Sequence, residues 1–392
     1  MRSLPLALSL VVPFRVGLDW LWWVPGPAGL SLGQAASGAL LIFVAASAAS
    51  GWRRIAVHPH RWLWVALLAW IVIGAFRAPS TLGALTYGTH LALPVLWLAA
   101  LAAHPLQTRV VASWVAIAGV PMVAGLGFAA LGQPDAHVLH GWPRLVSGYG
   151  NVHTHAGVAV VVLISAGGLR LAGRRWAAAV MLAAVVCLAL TFVRTAWLWA
   201  VLSAVGLALA RRRWRWVAVA VFVGALLLLA SGRFTDVVAV LLGTAPPGGW
   251  HAVGSFRGHI WSDSLASFWR GGAGDRWLGR GLGGHLGLHR HLEPHSGVLS
   301  LLFQLGPIGV VLWAAWGAVT LRALWGRAAE DTEHGWVAAV AFGLLLGALA
   351  TAPLSNDWLA RVTVQAWVWG AVGVAMAREP AGTGATARPA PA

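Results

Sequence analysis

Residues 289–309 read HRHLEPHSGVLSLLFQLGPIG, a histidine-rich loop that runs into an apolar helix holding no lysine and no carboxylate. A helix of that kind can cross a bilayer, which takes on the order of 20 apolar residues. The rest of the chain has the same character. Of its 392 residues 59% are hydrophobic and 10% charged, and the mean hydropathy is +0.75. Soluble chains are roughly half apolar and a quarter charged, so the composition is that of a polytopic membrane protein.

Apolar runs recur near 4–24, 29–51, 62–76, 83–103, 109–131, 151–171, 175–192, 195–210, 214–231, 296–318, 335–353 and 358–377. They predict an all-α fold of about twelve membrane spans. Residues 1–231 hold the first nine, 232–295 form one large extracytoplasmic loop, 296–377 hold the last three, and 378–392 are a Pro/Gly/Ala-rich tail of disordered composition. The first run lacks a small-residue cleavage site followed by a soluble domain and reads as a retained helix. The lone cysteine, Cys187, lies inside a span, so no intrachain disulfide can form.

Every basic residue of the Lys/Arg class is arginine, and positive charge favours short cytoplasmic loops. With the N-terminus inside, the cytoplasmic segments collect Arg53, Arg54 and Arg61, then Arg109, then Arg170, Arg174 and Arg175, then Arg211, Arg212, Arg213 and Arg215, then Arg322 and Arg327. The short outer loops hold little more than Arg77 and Arg144. Both termini therefore fall in the cytoplasm. This bias accounts for the formal charge of +16 and removes any need for a nucleic-acid partner. Many of the 26 tryptophans stand at span ends, Trp20, Trp22, Trp52, Trp62 and Trp358 among them, where they suit interfacial belts.

The loop 232–295 is long enough to be functional. Its stretch FRGHIWSDSLASFW is amphipathic and predicts a short helix on the membrane surface. The loop carries Arg233, Arg257, Arg270, Arg276, Arg280 and Arg290. A cationic outer face over an apolar body suits an anionic amphiphile, because the arginine fork grips phosphate oxygens in pairs; simple contact with lipid headgroups is the alternative reading. Arg194, in LALTFVRTAWLWAVL, has apolar neighbours on both sides. An arginine at the centre of a membrane helix costs about 2.5–3.5 kcal/mol, and less near an end, so such a residue is a functional candidate. Arg361 has a similar position, with Asp357 at i−4 as a possible mate. Arg15 and Asp19 are spaced to pair on one helix.

His285, His289, His291 and His295 fall close together with ligand-like spacing, yet no cysteine and only Glu293 could complete a zinc shell, and paired carboxylates for magnesium are missing from the outer loops. His295 stands apart because Ser296 after it can cap a helix. A neutral imidazole at that end can take a proton from a hydroxyl as a general base.

Several segments resemble the O-antigen ligase and polymerase superfamily of membrane glycosyltransferases. PHSGVLSLLFQLGPIGVVLW resembles its histidine-led signature, LGRGLGGH its glycine-rich stretch, LTFVRTAWL and FRGHIWSDSLASF its two arginine segments, and GYGNVHTHAGVAVVVL its asparagine-led helix start. These lie in the family's order over residues 147–317. Val193, Ser296 and His153 depart from it, standing where serine, asparagine and asparagine are usual. The resemblance implies that Arg194 and Arg257 hold the diphosphate of an undecaprenyl-linked glycan and that His295 activates an acceptor hydroxyl; Arg361, His285 and Asn151 are further candidates for the site. It also implies inversion without metal or other cofactor, a lipid A core acceptor, and an inner-membrane enzyme with a periplasmic active site. Other branches take a second lipid-linked glycan, as polymerases do, or a protein serine. The moderate length, short tail and single large loop favour the ligase. Twelve spans would also suit a lipid-linked glycan transporter, although the two halves show no convincing repeat.

Overall fold

The computed structural model describes residues 3–19, 24, 32–130, 137–139, 142–144, 151–191, 193–230, 257–285, 295–355 and 361–377. The fold is helical. In chain order the helices are α1 (Ser3–Ser9), α2 (Val11–Asp19), α3 (Leu32–Ser50), α4 (Trp52–Ala56), α5 (Arg61–Phe76), α6 (Thr81–Ala103), α7 (Arg109–Ala130), α8 (Val152–Leu171), α9 (Ala177–Thr191), α10 (Arg194–Ala210), α11 (Trp214–Ala230), α12 (Arg257–Arg270), α13 (Ala273–Leu278), α14 (Gly297–Ala328), α15 (Glu333–Thr351) and α16 (Val362–Met376). Between α7 and α8 a short antiparallel hairpin pairs His137 with Arg144 and Leu139 with Trp142, a small addition to the all-α expectation.

Helices α3, α6, α7, α8, α14 and α15 are long and apolar enough to cross a membrane, and α5, α9, α10, α11 and α16 are shorter apolar helices. The outward face is apolar as well: Ile42, Phe222 and Val311 are 72%, 63% and 65% exposed. An apolar girdle of this extent fits hydrocarbon rather than water. The protein is embedded in a membrane through these helices.

The expected first span, 4–24, is broken instead. Its described part forms α1 and α2, interrupted at Leu10. Pro13 has no N–H to give to the carbonyl four residues back, which frees the Ser9 oxygen; the Trp114 indole donates to it at 2.7 Å. Buried backbone oxygens need such a partner. Tryptophan also departs from the interfacial role. Trp52, Trp62 and Trp214 are exposed, but Trp97, Trp114, Trp316, Trp367 and Trp369 are fully buried. Trp97 donates to the Ala366 carbonyl at 3.0 Å, Trp367 donates to Ser165 Oγ at 3.1 Å, and Trp316 stacks on Trp369 at 4.0 Å between ring centres. Inside the bundle, indole N–H groups tie neighbouring helices together.

The centre consists of α8, α15 and α16, whose residues are almost all buried. Helix α10 packs closely on α15, and the approach depends on Gly343 and Gly347, a small-xxx-small pair. A β-carbon on Gly343 would stand 2.4 Å from the Ser203 carbonyl, and one on Gly347 would stand 2.3 Å from Ser203 Oγ.

The arginine-bearing turns gather at one end. Arg174 pairs with Glu333 at 3.2 Å and Arg211 with Asp331 at 3.1 Å. Arg54 donates to the Ala103 carbonyl at 2.7 Å, and Arg327 donates to that of Ala375 at 2.6 Å. The starts of α8, α10, α14 and α16 consequently lie at the opposite end.

Candidate active site

At that opposite end the segments singled out from sequence come together. Helix α8 starts at Asn151, whose Oδ1 accepts from the His153 amide at 2.8 Å and the Thr154 amide at 3.4 Å. This is a helix cap, and it gives Asn151 a structural duty beyond the assisting role expected of it. Helix α10 starts at Arg194, which is exposed, directly after Val193. Helix α16 starts after Arg361. Gly157 marks where these three helices meet, since a β-carbon there would lie 2.7 Å from Val364 and 3.8 Å from the Trp199 ring. A narrow cleft lined by His153, Thr195, Trp199, Thr351 and Ser355 runs between α8, α10 and the end of α15.

Helix α14 docks beside this cleft. Ser296 caps it by accepting from the Leu299 amide at 3.3 Å, as its position suggested, and the Gly297 amide donates to the carbonyls of Ala352 at 2.7 Å and Ser355 at 3.1 Å. His295 just ahead of the cap is exposed and holds φ 47°. Few non-glycine residues adopt a left-handed backbone, and strain of about 1–3 kcal/mol at such a residue clusters at working sites. Four helix N-termini therefore converge with Arg194 and Arg361. Each N-terminus carries about half a positive charge, which favours an anion nearby.

Arg361 is the partly buried arginine at this end. Its Nε is buried without a hydrogen-bond partner among the described residues; Asp357, its expected mate, lies outside them. Two residues on, the Thr363 hydroxyl donates to the Asp19 carboxylate, which also pairs with Arg15 at 2.5 Å. The expected Arg15–Asp19 pair is thus present, and it tethers the start of α16 to α2. Its position beside the site was not visible from sequence.

The glycine-rich stretch 278–285 acts as a backbone plug. Helix α14 is broken at Gly306 (φ 67°, ψ −177°), and Pro307 cannot donate to the Phe303 carbonyl. The Arg280 amide does so instead, at 2.6 Å. The Trp70 indole donates to the Leu305 carbonyl at 2.8 Å, the Gly283 amide donates to Gln304 Oε1 at 3.3 Å, and the Leu282 amide donates to the Gly74 carbonyl at 2.9 Å. Arg77 locks the plug from α5, donating to the Gly279 carbonyl at 3.1 Å and pairing with Asp275 at 2.9 Å. Proline inside an apolar run, four residues after an orphaned carbonyl, is the signal that could have pointed to this packing.

The short helices expected in 232–295 are present as α12 and α13. Arg257 is the first residue of α12, and its side chain lies outside the described part. His285 is buried at the end of the plug, edge-on to the Tyr87 ring at 4.8 Å. His289, His291 and Glu293 lie outside the described residues. Among the described residues no three of His, Cys, Asp and Glu group as metal ligands would. No protein-family model matches this chain, and no curated protein does.

Proposed function

We propose that this chain is a membrane glycosyltransferase of the O-antigen ligase kind, which moves a glycan from undecaprenyl diphosphate to a sugar hydroxyl of the lipid A core. The observation that carries the reading is the convergence of four helix N-termini with Arg194 and Arg361, whose buried Nε lacks a partner among the described residues. Departure of a diphosphate from an anomeric carbon builds negative charge on the leaving oxygen, and preorganised cations and amides are what lowers that barrier. In this reading Arg194, Arg257 and Arg361 hold the diphosphate. His295 takes the proton from the acceptor hydroxyl while that oxygen attacks the anomeric carbon from the opposite side, so the configuration inverts. The exposed position of His295, beside a cleft closed by α15, leaves room for an acceptor arriving from water.

On the same reading the apolar helices supply about twelve spans. The arginine-rich end faces the cytoplasm with both termini, the site faces the periplasm of an inner membrane, and α12 and α13 belong to a large periplasmic loop. The positive-inside rule supports this orientation, because the arginine-bearing turns cluster at the end away from the site.

The test is product analysis with purified protein in liposomes, supplied with lipid-diphosphate-linked glycan and core lipid. Glycosylated core lipid is the expected product. Donor lengthened on its own lipid instead would identify a polymerase, and donor moved across the bilayer without new bonds would identify a transporter.

A further inference from the structure

A second cavity lies at the other end. It measures about 930 Å³, within the usual range for a small-molecule or lipid-headgroup pocket. Four separate turns build it: the α4–α5 turn, the α6–α7 turn, the junction of α14 with α15, and the end of α16. Arg54, Arg109 and Arg327 stand on its wall with His58 and His60. Its floor is apolar, formed by Trp64, Leu98, Trp316 and Met376.

Arginines at this end are what positive-inside topology demands; three of them around one cavity over an indole floor go further. The lining carboxylate, Glu333, is already engaged by Arg174 at 3.2 Å and by the Thr108 hydroxyl at 2.9 Å. Arg54 and Arg327 bond backbone carbonyls, which carry no formal charge. Among the described residues none of the three pairs with a carboxylate.

We propose that this cavity binds a phosphate-headed membrane lipid, with the phosphate on Arg54, Arg109 and Arg327 and the start of a chain along Trp64, Leu98 and Trp316. Arginine suits phosphate because its planar fork presents paired donors, and the tryptophan floor at a bundle end suits the boundary between headgroup and hydrocarbon. The ligand is recognised by two features at once, an anionic head and an apolar tail, so neither inorganic phosphate nor a neutral lipid satisfies it.

The experiment is native mass spectrometry of the full chain in a neutral detergent, titrated with phosphatidic acid, phosphatidylcholine or inorganic phosphate. Two variants accompany it: Arg109→Gln, at the exposed start of α7, and Ala102→Trp, which fills the cavity floor. The native protein should retain phosphatidic acid at least about 10-fold more tightly than phosphatidylcholine. Arg109→Gln should weaken that binding by about 10–100-fold, the worth of one hydrogen bond to a charged group, and Ala102→Trp should abolish it. Equal retention of the two lipids overturns the proposal. So does unchanged binding in both variants, and displacement of the lipid by inorganic phosphate at matching concentration would mark a free-phosphate site instead.

Discussion

Replacing Gly306 with alanine should unfold the plug against α14. Gly306 sits at φ 67°, ψ −177°, a backbone region that essentially only glycine occupies. The backbone term alone costs roughly 1–3 kcal/mol. The added β-carbon would also stand 2.1 Å from the Trp277 carbonyl oxygen and 2.8 Å from the Gly279 nitrogen, both backbone atoms that cannot rotate away. Moving the plug to make room breaks the bond from the Arg280 amide to the Phe303 carbonyl, and a buried carbonyl without a donor costs about 1–3 kcal/mol more. The two together come to about 2–6 kcal/mol, large against the roughly 5–15 kcal/mol by which proteins are stable. Gly326→Ala on the same helix is the control, since nothing lies within 4 Å of its β-carbon; a helical Gly→Ala there should be neutral or gain about 0.5–1 kcal/mol. Thermal unfolding in detergent, with limited proteolysis at 278–285, reads both. If Gly306→Ala melts within about 0.5 kcal/mol of the control, a margin typical of bland surface substitutions, the account of the broken helix is wrong.

Other perturbations have equally definite outcomes. Asn151→Ala removes the cap of α8 and should cost about 0.5–2 kcal/mol in thermal unfolding, whereas Asn151→Asp keeps an accepting oxygen and most of the stability. Asp19→Asn strands the buried Arg15 charge and loosens the tether to Thr363, so a loss of about 3–5 kcal/mol is expected by chemical denaturation. Burial holds the His60 imidazole below its ordinary value. The folded state then binds a proton less readily than the unfolded chain, so stability falls as pH drops through about 6.5, the unfolded value, and His60→Gln should flatten the melting temperature across that window.

The extent of what sequence reveals differs by feature. Apolar windows located most helix bodies to within a few residues, because a membrane span needs length and hydropathy and little else. The split of the first run at Leu10 escaped that reading, since Pro13 sits early in an otherwise apolar segment and Trp114, which satisfies the freed carbonyl, is far away in the chain. The Gly343–Gly347 pair has the spacing of a close-packing motif, but the Ser203 it packs on is far away in the chain. The anion-favouring end was legible in part: Arg194 and Arg361 are conspicuous as arginines beside apolar runs, and Ser296 announces a cap. The contact of Asp19 with Thr363, the seat of Arg280 against Phe303 and the arginine-lined cavity arise from residues distant in sequence. No local pattern encodes them.

The most direct test of the account is transfer of glycan from its diphosphate lipid to core lipid by purified protein in the presence of chelator, comparing the native chain with His295→Asn. Asparagine tolerates the left-handed backbone that His295 adopts, so the variant removes the imidazole while keeping the turn into α14. Metal-independent transfer by the native chain is expected, with a fall of about 10²–10⁴-fold in the variant, the usual contribution of a general base, at unchanged melting temperature. Transfer at native rate by His295→Asn, or transfer that returns only when zinc is restored, would contradict it.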